Sequence, residues 1–415
     1  GTAAGGPPPA ATVAPAPAPA PSTEGASFRP VVTPDGVSLP ARSVDGVRIL
    51  HLVAEPVTHE FAPGLRGECW GYNGRVHGPT IEAVQGERVR IYVTNRLPVG
   101  TSVHWHGQRV PSGMDGVGGL SQRPIEPGET FRYEFTPPDA GSFMYHSHHD
   151  EMTQMAMGLM GMFIVHPRTP EPEPPARDFA YMLSEWKIEP GTRRPDPNEM
   201  VDFNVLTLNA RIFPGTAPLL VRRGERVRIR IGNLSAMDHH PIHLHGHAFT
   251  VVATDGGEVP PTARFPETSV LVPVGAVRVI EFVADNPGDW ALHCHMTHHV
   301  MTQMGHGLPN LIGSDPGRFD EALARHVPAF DQVGSGMAAA DAHAGDDPTI
   351  PRNSLPMMGG VGPHGYITMG GMFSVLKVRD ELPADGADPG WYAAPAGTQA
   401  DAATPEELAR DNIAG

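Results

Sequence analysis

The sequence predicts an all-β protein built from two copies of one domain. Three observations carry that prediction. The 415 residues include 48 Gly and 46 Pro, a density of helix breakers that suits turn-rich β architecture. Short β-type runs such as Val47–Val53 and Arg88–Thr94 are bounded by Gly and Pro turns. The chain also repeats itself. GERVRI occurs at 86–91 and again at 224–229, and Gly128, Phe135, Gly141 and His146 recur 147 residues later as Gly275, Phe282, Gly288 and His293. A period of this length is too long for a solenoid and fits duplicated barrels or sandwiches.

Taken in order, residues 1–45 read as a tether and lead-in, with the Ala/Pro tract at 7–21 extended and unable to build a core. A first domain is expected over 46–167 and a second over 168–312, with HPRTPEPEPPAR (166–177) as the linker. Residues 313–415 form an irregular extension containing one strand-like run, Met372–Val378, and a short helical pattern, Pro405–Ala409. No apolar run approaches the roughly 18 residues of a membrane helix. A net charge of −16 argues against nucleic acid or an anionic membrane as partner. The chain begins with Gly and is expected to be a processed or recombinant form whose targeting segment is out of view.

Histidine is the unusual residue. Of 22 His, 14 fall in the windows 104–106, 146–149, 239–247 and 293–299. Four His-X-His pairs stand out, two in each repeat: His104/His106, His146/His148, His243/His245 and His293/His295. On a strand, residues i and i+2 share a face, so each pair offers two imidazoles side by side. One such pair is weak evidence. Four in duplicated register point to metal, and imidazole suits Cu, Zn, Fe and Ni.

The second repeat narrows the choice. Cys294 lies between His293 and His295 and should face away from both. A thiolate with two imidazoles, His240 and His299, and a weak thioether, Met304, is the ligand set of a blue-copper electron-transfer site. Zinc would favour a set closed by more thiolates. In the first repeat Ser147 stands where Cys294 stands in the second, and nothing corresponds to His240 or His299. One electron-accepting site and one shared eight-His centre follow.

HWHG (104–107), HSH (146–148), HPIHLHG (240–246) and HCHxxxHxxxxM (293–304), together with CWGYNGRVHGPTIEA (69–83) and MDGV (114–117), resemble the multicopper oxidases, the laccase-like family, over about residues 45–312. The resemblance implies two cupredoxin-like Greek-key β-barrels in tandem and four coppers per chain. His240, Cys294, His299 and Met304 would bind type 1 copper, with His293 and His295 relaying electrons from Cys294. His104 and His243 would bind type 2, and His106, His146, His148, His245, His293 and His295 the type 3 pair. It further implies four one-electron oxidations of a small phenolic, aromatic or low-valent metal donor, coupled to reduction of O2 to two waters. Asp115 resembles the family's acid beside the cluster; its alternative role is that of a turn residue before Gly116. Many members carry an acid after the second type 1 His, where this chain has Val300, so no proton route is expected there. With only two domains, the cluster is expected between neighbouring subunits of a homotrimer, an intrachain cluster being the alternative. A periplasmic or extracellular location is expected by the same resemblance.

Other residues are less telling. His149, His239, His247, His298 and His306 read as bystanders or supports of the ligands. Met144, Met152, Met155, Met157, Met160 and Met162 read as packing, or as a soft surface receiving Cu(I). In the extension, Met357, Met358, His364, Met369 and Met372 are candidates for a copper path, and Cys69 for a buried free thiol. A nitrite reductase of the two-domain copper type is the nearest rival, but it keeps its blue copper in the first domain. A copper-sequestering protein is a further rival that gives no account of the four registered pairs.

Overall fold

Every second residue of Arg88–Asn95 is apolar or Asn, and those residues are the buried ones: Val89, Ile91, Val93 and Asn95. That alternation is the mark of a strand with one face on a core, and it recurs through the computed structural model. The described residues are 28–304, 351–355, 357 and 359–413. The Ala/Pro tract, His306 and Met358 lie outside them.

Nine strands build the first domain: β1 (Arg42–Val44), β2 (Val47–Ala62), β3 (Leu65–Tyr72), β4 (Ile81–Val84), β5 (Arg88–Asn95), β6 (His104–His106), β7 (Thr130–Phe135), β8 (Gly141–His146) and β9 (Met160–His166). They form two sheets, β1-β2-β5-β7 with β3 on β2, and β4-β9-β8-β6. Between them lies a core that includes Leu52, Ile91, Trp105, Tyr145 and Phe163. A short helix α1 (Glu151–Ala156) leads into β9.

The second domain comprises β10 (Arg177–Trp186), β11 (Val205–Leu208), β12 (Leu219–Arg222), β13 (Arg226–Asn233), β14 (His240–Leu244), β15 (Phe249–Thr254), β16 (Gly257–Glu258), β17 (Pro266–Glu267), β18 (Ser269–Val272), β19 (Val277–Val283) and β20 (Gly288–Cys294). A hairpin, β21 (Gly360–Gly362) and β22 (Gly365–Ile367), precedes β23 (Phe373–Arg379), and α2 (Pro405–Arg410) lies near the end. The sheet that carries His240, His243 and His293 runs β12-β23-β20-β14-β18. It matches β4-β9-β8-β6 of the first domain strand for strand, with β18 added.

That match corrects one expectation. The strand at 373–379 was expected in an extension beyond a second domain ending at 312, packed on a barrel or on a neighbouring subunit. Instead it pairs in parallel with β12 and antiparallel with β20, the place that β9 takes between β4 and β8. Without it β12 and β20 would lack a shared neighbour. Leu376 and Val378 fill the second core beside Leu219 and Leu292.

The domains meet through methionine. Met144, Met160, Met162 and Ile164 of the first pack on Ala180, Met182, Val277 and Val279 of the second. Packing is therefore the role of the buried members of the Met-rich stretch, while Met152 is exposed. The repeated GERVRI motif now serves two surfaces. Arg90 pairs with Glu134 inside its own domain. Its counterpart Arg228 pairs with Glu171 of the linker and Glu281, and Arg230 is buried, bonding Asp178 and Ser142 of β8.

Because Leu376 is fully buried in β23, Leu376→Ala should destabilise the protein by about 2–5 kcal/mol. Chemical denaturation would measure this, and a loss under about 0.5 kcal/mol, typical of a surface site, would speak against β23 as a core strand.

Candidate metal centres

Strand register assembles the first set of rings. β6 and β8 are antiparallel with His104 opposite His146, so both members of the HWH pair lie on one face beside His146. Hydrogen bonds then decide which nitrogen of each ring is free. A carbonyl oxygen only accepts, so the nitrogen facing it must carry the proton. His104 donates through Nδ1 to Asp115 O at 2.8 Å, His146 through Nδ1 to Ser147 O at 2.9 Å, and His106 through Nε2 to Gly275 O at 2.8 Å. The remaining nitrogens turn inward. Nδ1 of His106 and Nε2 of His146 face each other at 3.3 Å, and both carry lone pairs. Burial pushes the His146 imidazole down to about 3 and lowers His106 as well, so neither ring takes up a bridging proton near neutral pH. Two opposed lone pairs at this distance fit a shared cation. Donor atoms of His104, His106 and His146 lie within 4.8 Å of one another.

The second set repeats the design. β14 and β20 place His243 opposite His293. His243 donates through Nδ1 to Thr268 O at 2.6 Å and His293 through Nδ1 to Cys294 O at 2.8 Å. Nε2 of His293 meets Nε2 of His245 at 3.1 Å. In three of the four pairs only the first His lies on a strand; His148, His245 and His295 sit just past the strand ends, where the chain leaves the sheet and the rings reach the surface. Ring contacts join His104, His106, His146 and His148 to one another, and likewise His243, His245, His293 and His295. Among the described residues no ring contact links the two sets.

On the opposite side of β20, Cys294 turns into the core. Its Sγ lies 3.7 Å from His240 Nδ1 and 3.5 Å from His299 Nδ1, and those two nitrogens are 3.1 Å apart. Three ligands about 2.0–2.3 Å from one ion leave spacings of about 3–4 Å between them. Burial pushes the Cys294 thiol up to about 12 and His240 down to about 3. The apo site is thus a neutral thiol with neutral imidazoles, and a metal ion would convert the thiol to thiolate. Outer contacts fix the rings: Ser235 Oγ meets His240 Nε2 at 2.7 Å, and Asp238 Oδ2 lies 3.4 Å from His299 Nε2. Asn233 shapes that loop by bonding Asp238 O, Val272 O and Ser235 N. Met304 packs against the core cluster that contains Cys294.

At the equivalent place in the first domain, Ser147 Oγ and Thr101 Oγ1 both donate to Gln154 Oε1 at 2.6 Å. All three side chains are buried. A closed hydrogen-bond network occupies the position of a metal centre.

Asp115 follows a 3-10 turn (Ser112–Met114) and sets Oδ1 3.4 Å from His104 Nδ1. Two acids escaped the sequence reading. Glu151, the first residue of α1, brings its carboxylate within 3.7 Å of His146 Nδ1 and His148 Nε2. Glu185 on β10 is buried, its Oε1 accepting from Met237 N and Asp238 N. A charged residue inside the apolar run YMLSEW was the available signal. Of the two residues that read as bystanders or supports, His239 accepts from Val274 N through Nδ1, and His247 Nδ1 lies 3.2 Å from His245 O. His364 is exposed near the tip of the β21–β22 hairpin, and Cys69 is a buried free thiol.

Two pH effects follow. Burial lowers His59 to about 4 and His77, His146 and His240 to about 3. Below about pH 6.5 the unfolded chain binds protons that the folded apoprotein refuses, so stability is lost on acidification. Denaturation midpoints of copper-free protein should fall between pH 7.5 and 5.5. Glu185 acts in the opposite sense, because burial raises its carboxyl well above the usual range. Its contribution is fully present at low pH and is lost as pH rises through the raised value. Glu185→Gln should therefore match the wild type near pH 4.5 and become the more stable of the two toward pH 8.

Residues 54–170 and 189–312 each match a family model described as multicopper oxidase, and together the matches span more than half of the chain. Copper resistance protein A of Escherichia coli is 31% identical over 54% of this chain and 45% of its own length. Laccase-19 of Oryza sativa subsp. japonica is 33% identical over 54% and 40%. The chain thus spans less than half the length of these curated relatives. The crystal structure of blue copper oxidase from Nitrosomonas europaea superposes with a TM-score of 0.57 at 25% identity, covering 79% of this chain and 85% of that one. With two barrels of matching topology, each carrying its share of registered His pairs, this chain belongs to the multicopper oxidase family.

Proposed function

We propose that the protein is a laccase-like oxidase that takes single electrons from an easily oxidised phenol, aromatic amine or low-valent metal ion and reduces O2 to water. The observation that carries this reading is the opposed lone pairs of His106 and His146, 3.3 Å apart, beside a separate His240–Cys294–His299 centre. His240, Cys294, His299 and Met304 would hold type 1 copper, His104 and His243 type 2, and the other six His the type 3 pair, four coppers per chain. Copper in these sites supplies storage for four electrons, so that O2 leaves as two waters without release of partly reduced oxygen.

The chain's own residues do the rest. Cys294 offers a covalent route from the buried centre to its neighbours His293 and His295 on the opposite face. Carbonyls of Asp115, Ser147, Gly275, Thr268 and Cys294 hold ring protons outward, keeping the ligand nitrogens bare. Asp115, about one-third exposed at its side chain, places a carboxylate between solvent and His104. It is positioned to pass protons inward from water.

Each set of four rings completes a cluster only if another set is brought to it. Apolar side chains stand at the edges of both. Leu120 (84% exposed) belongs to the loop bonded to His148 through Gly118, and Met296 follows His295. Leu271 lies on β18, next to the strand of His243. These features support docking of the first domain of one subunit on the second domain of the next, closing as a homotrimer.

Copper-loaded protein should be intensely blue and consume O2 with a methoxyphenol, whereas Cys294→Ser should lose the colour and the uptake. Blue protein that turns over nitrite without O2 uptake, or colourless protein that only retains Cu(I), would overturn the reading. Mixing His104→Ala and His293→Ala subunits should restore about one-quarter of wild-type activity, since a random ring leaves one interface in four intact. An intrachain cluster would show no rescue.

A further inference from the structure

The duplication does not stop at Met304. Phe373 of β23 stands opposite His293 as Met160 of β9 stands opposite His146, so Met160 and Phe373 hold the same place in the two barrels. Four residues separate Met155 from Met160 in the first barrel, whereas 68 separate Met304 from Phe373 in the second. The returning chain is fastened to the Cys294 centre by its main chain. Gly370 N–H donates to Val300 O at 2.6 Å, Met372 N–H to His299 O at 3.0 Å, and Cys294 N–H to Met372 O at 3.1 Å. Gly371 has φ +53°, and a Cβ there would stand 2.4 Å from His299 O and 2.5 Å from Met301 O. The approach is close enough to require glycine.

We infer that an insertion of 64 residues interrupts the second barrel between Met304 and its last strand, and that Gly370–Met372 is a strap that sets the geometry of the His240–Cys294–His299 centre. Gly371 is a positioning residue. It touches neither donor nor O2; it holds the main chain of His299, and through Met372 that of Cys294, at fixed separation. Because the insertion leaves the chain just after His299 and Met304 and returns at the strap, both of its ends bear on the same copper loop. The strap rests on the copper reading only for its role in catalysis, since its hold on Cys294 is a property of the metal-free chain.

The first readout therefore needs no copper. Cys294 and Cys69 are both buried free thiols, and alkylation of each can be followed by mass spectrometry of the full-length apoprotein. Gly371→Ala should speed alkylation of Cys294 by at least about tenfold while Cys69 stays protected, the pattern of a local opening. Gly365→Ala serves as control: it has a positive φ of +112° but open space around it, and should leave both rates unchanged. In copper-loaded protein Gly371→Ala should shift the blue absorption and the potential of that copper, leaving the copper content of the His clusters intact. Equal Cys294 rates in wild type and Gly371→Ala would overturn the strap. Should Gly371→Ala fail to fold, deletion of 305–368, which restores the first barrel's spacing and keeps the strap, decides. Continued protection of Cys294 supports the strap, and selective exposure of Cys294 with Cys69 still protected overturns it. Loss of blue colour in the wild type would count against the copper reading and not against the strap.

Discussion

Hydrogen bonds from imidazole N–H groups to main-chain carbonyls are the interaction on which the sites depend. A neutral imidazole has one proton and two nitrogens. Once His104, His106, His146, His243 and His293 commit that proton to a carbonyl, the second nitrogen is fixed as a bare donor. Antiparallel register then brings the bare nitrogens of His106 and His146 to 3.3 Å from one another and sets His245 Nε2 3.1 Å from the bare Nε2 of His293. Burial keeps the rings uncharged, so protons do not fill the gap. Such an arrangement is unfavourable by itself and favourable around a cation, which links metal binding to the stability of the folded chain.

Duplication supplied two scaffolds, and their divergence explains the division of labour. At one equivalent point the first barrel closes Thr101, Ser147 and Gln154 into a hydrogen-bonded knot, while the second leaves a thiol and two imidazoles converging. The knot satisfies its own polar atoms and has nothing to offer a metal. The outer faces diverge in the same way. Arg90 stays within its sheet and its counterpart Arg228 pairs with Glu171 and Glu281, whereas Arg230, where the first barrel has Tyr92, is buried against Asp178 and Ser142 and locks the two barrels together. His106 joins this seam, because its proton goes to Gly275 of the other barrel. A candidate metal-site ring of the first domain is thus oriented by the second.

The opposite carbonyl partners, the reach of Glu151 and the burial of Glu185 beside Asp238 were not legible in the sequence, since each depends on elements far apart in the chain. The strand at 373–379 was visible as a β-type run, yet its place was not. A 64-residue insertion hides the continuation of the repeat from any fixed offset, and hydrogen bonds to β12 and β20 reveal it. The same applies to methionine. Composition left packing and Cu(I) capture both open for Met144, Met160 and Met162, and their burial between the barrels assigns them to packing.

What the sequence determined by itself was the chemistry on offer. Alternating apolar residues specify strands, and His at i and i+2 specify paired imidazoles, because the strand period is two. Cys between two His specifies a thiol on the opposite face for the same reason. What tertiary structure alone decided was which nitrogen of each ring is bare, how the rings divide into two sets, and which distant strand closes the second barrel. Those outcomes turn on carbonyls, sheet neighbours and packing contacts supplied by remote segments. Local period fixes the direction in which a side chain points, and only the assembled fold fixes what it meets.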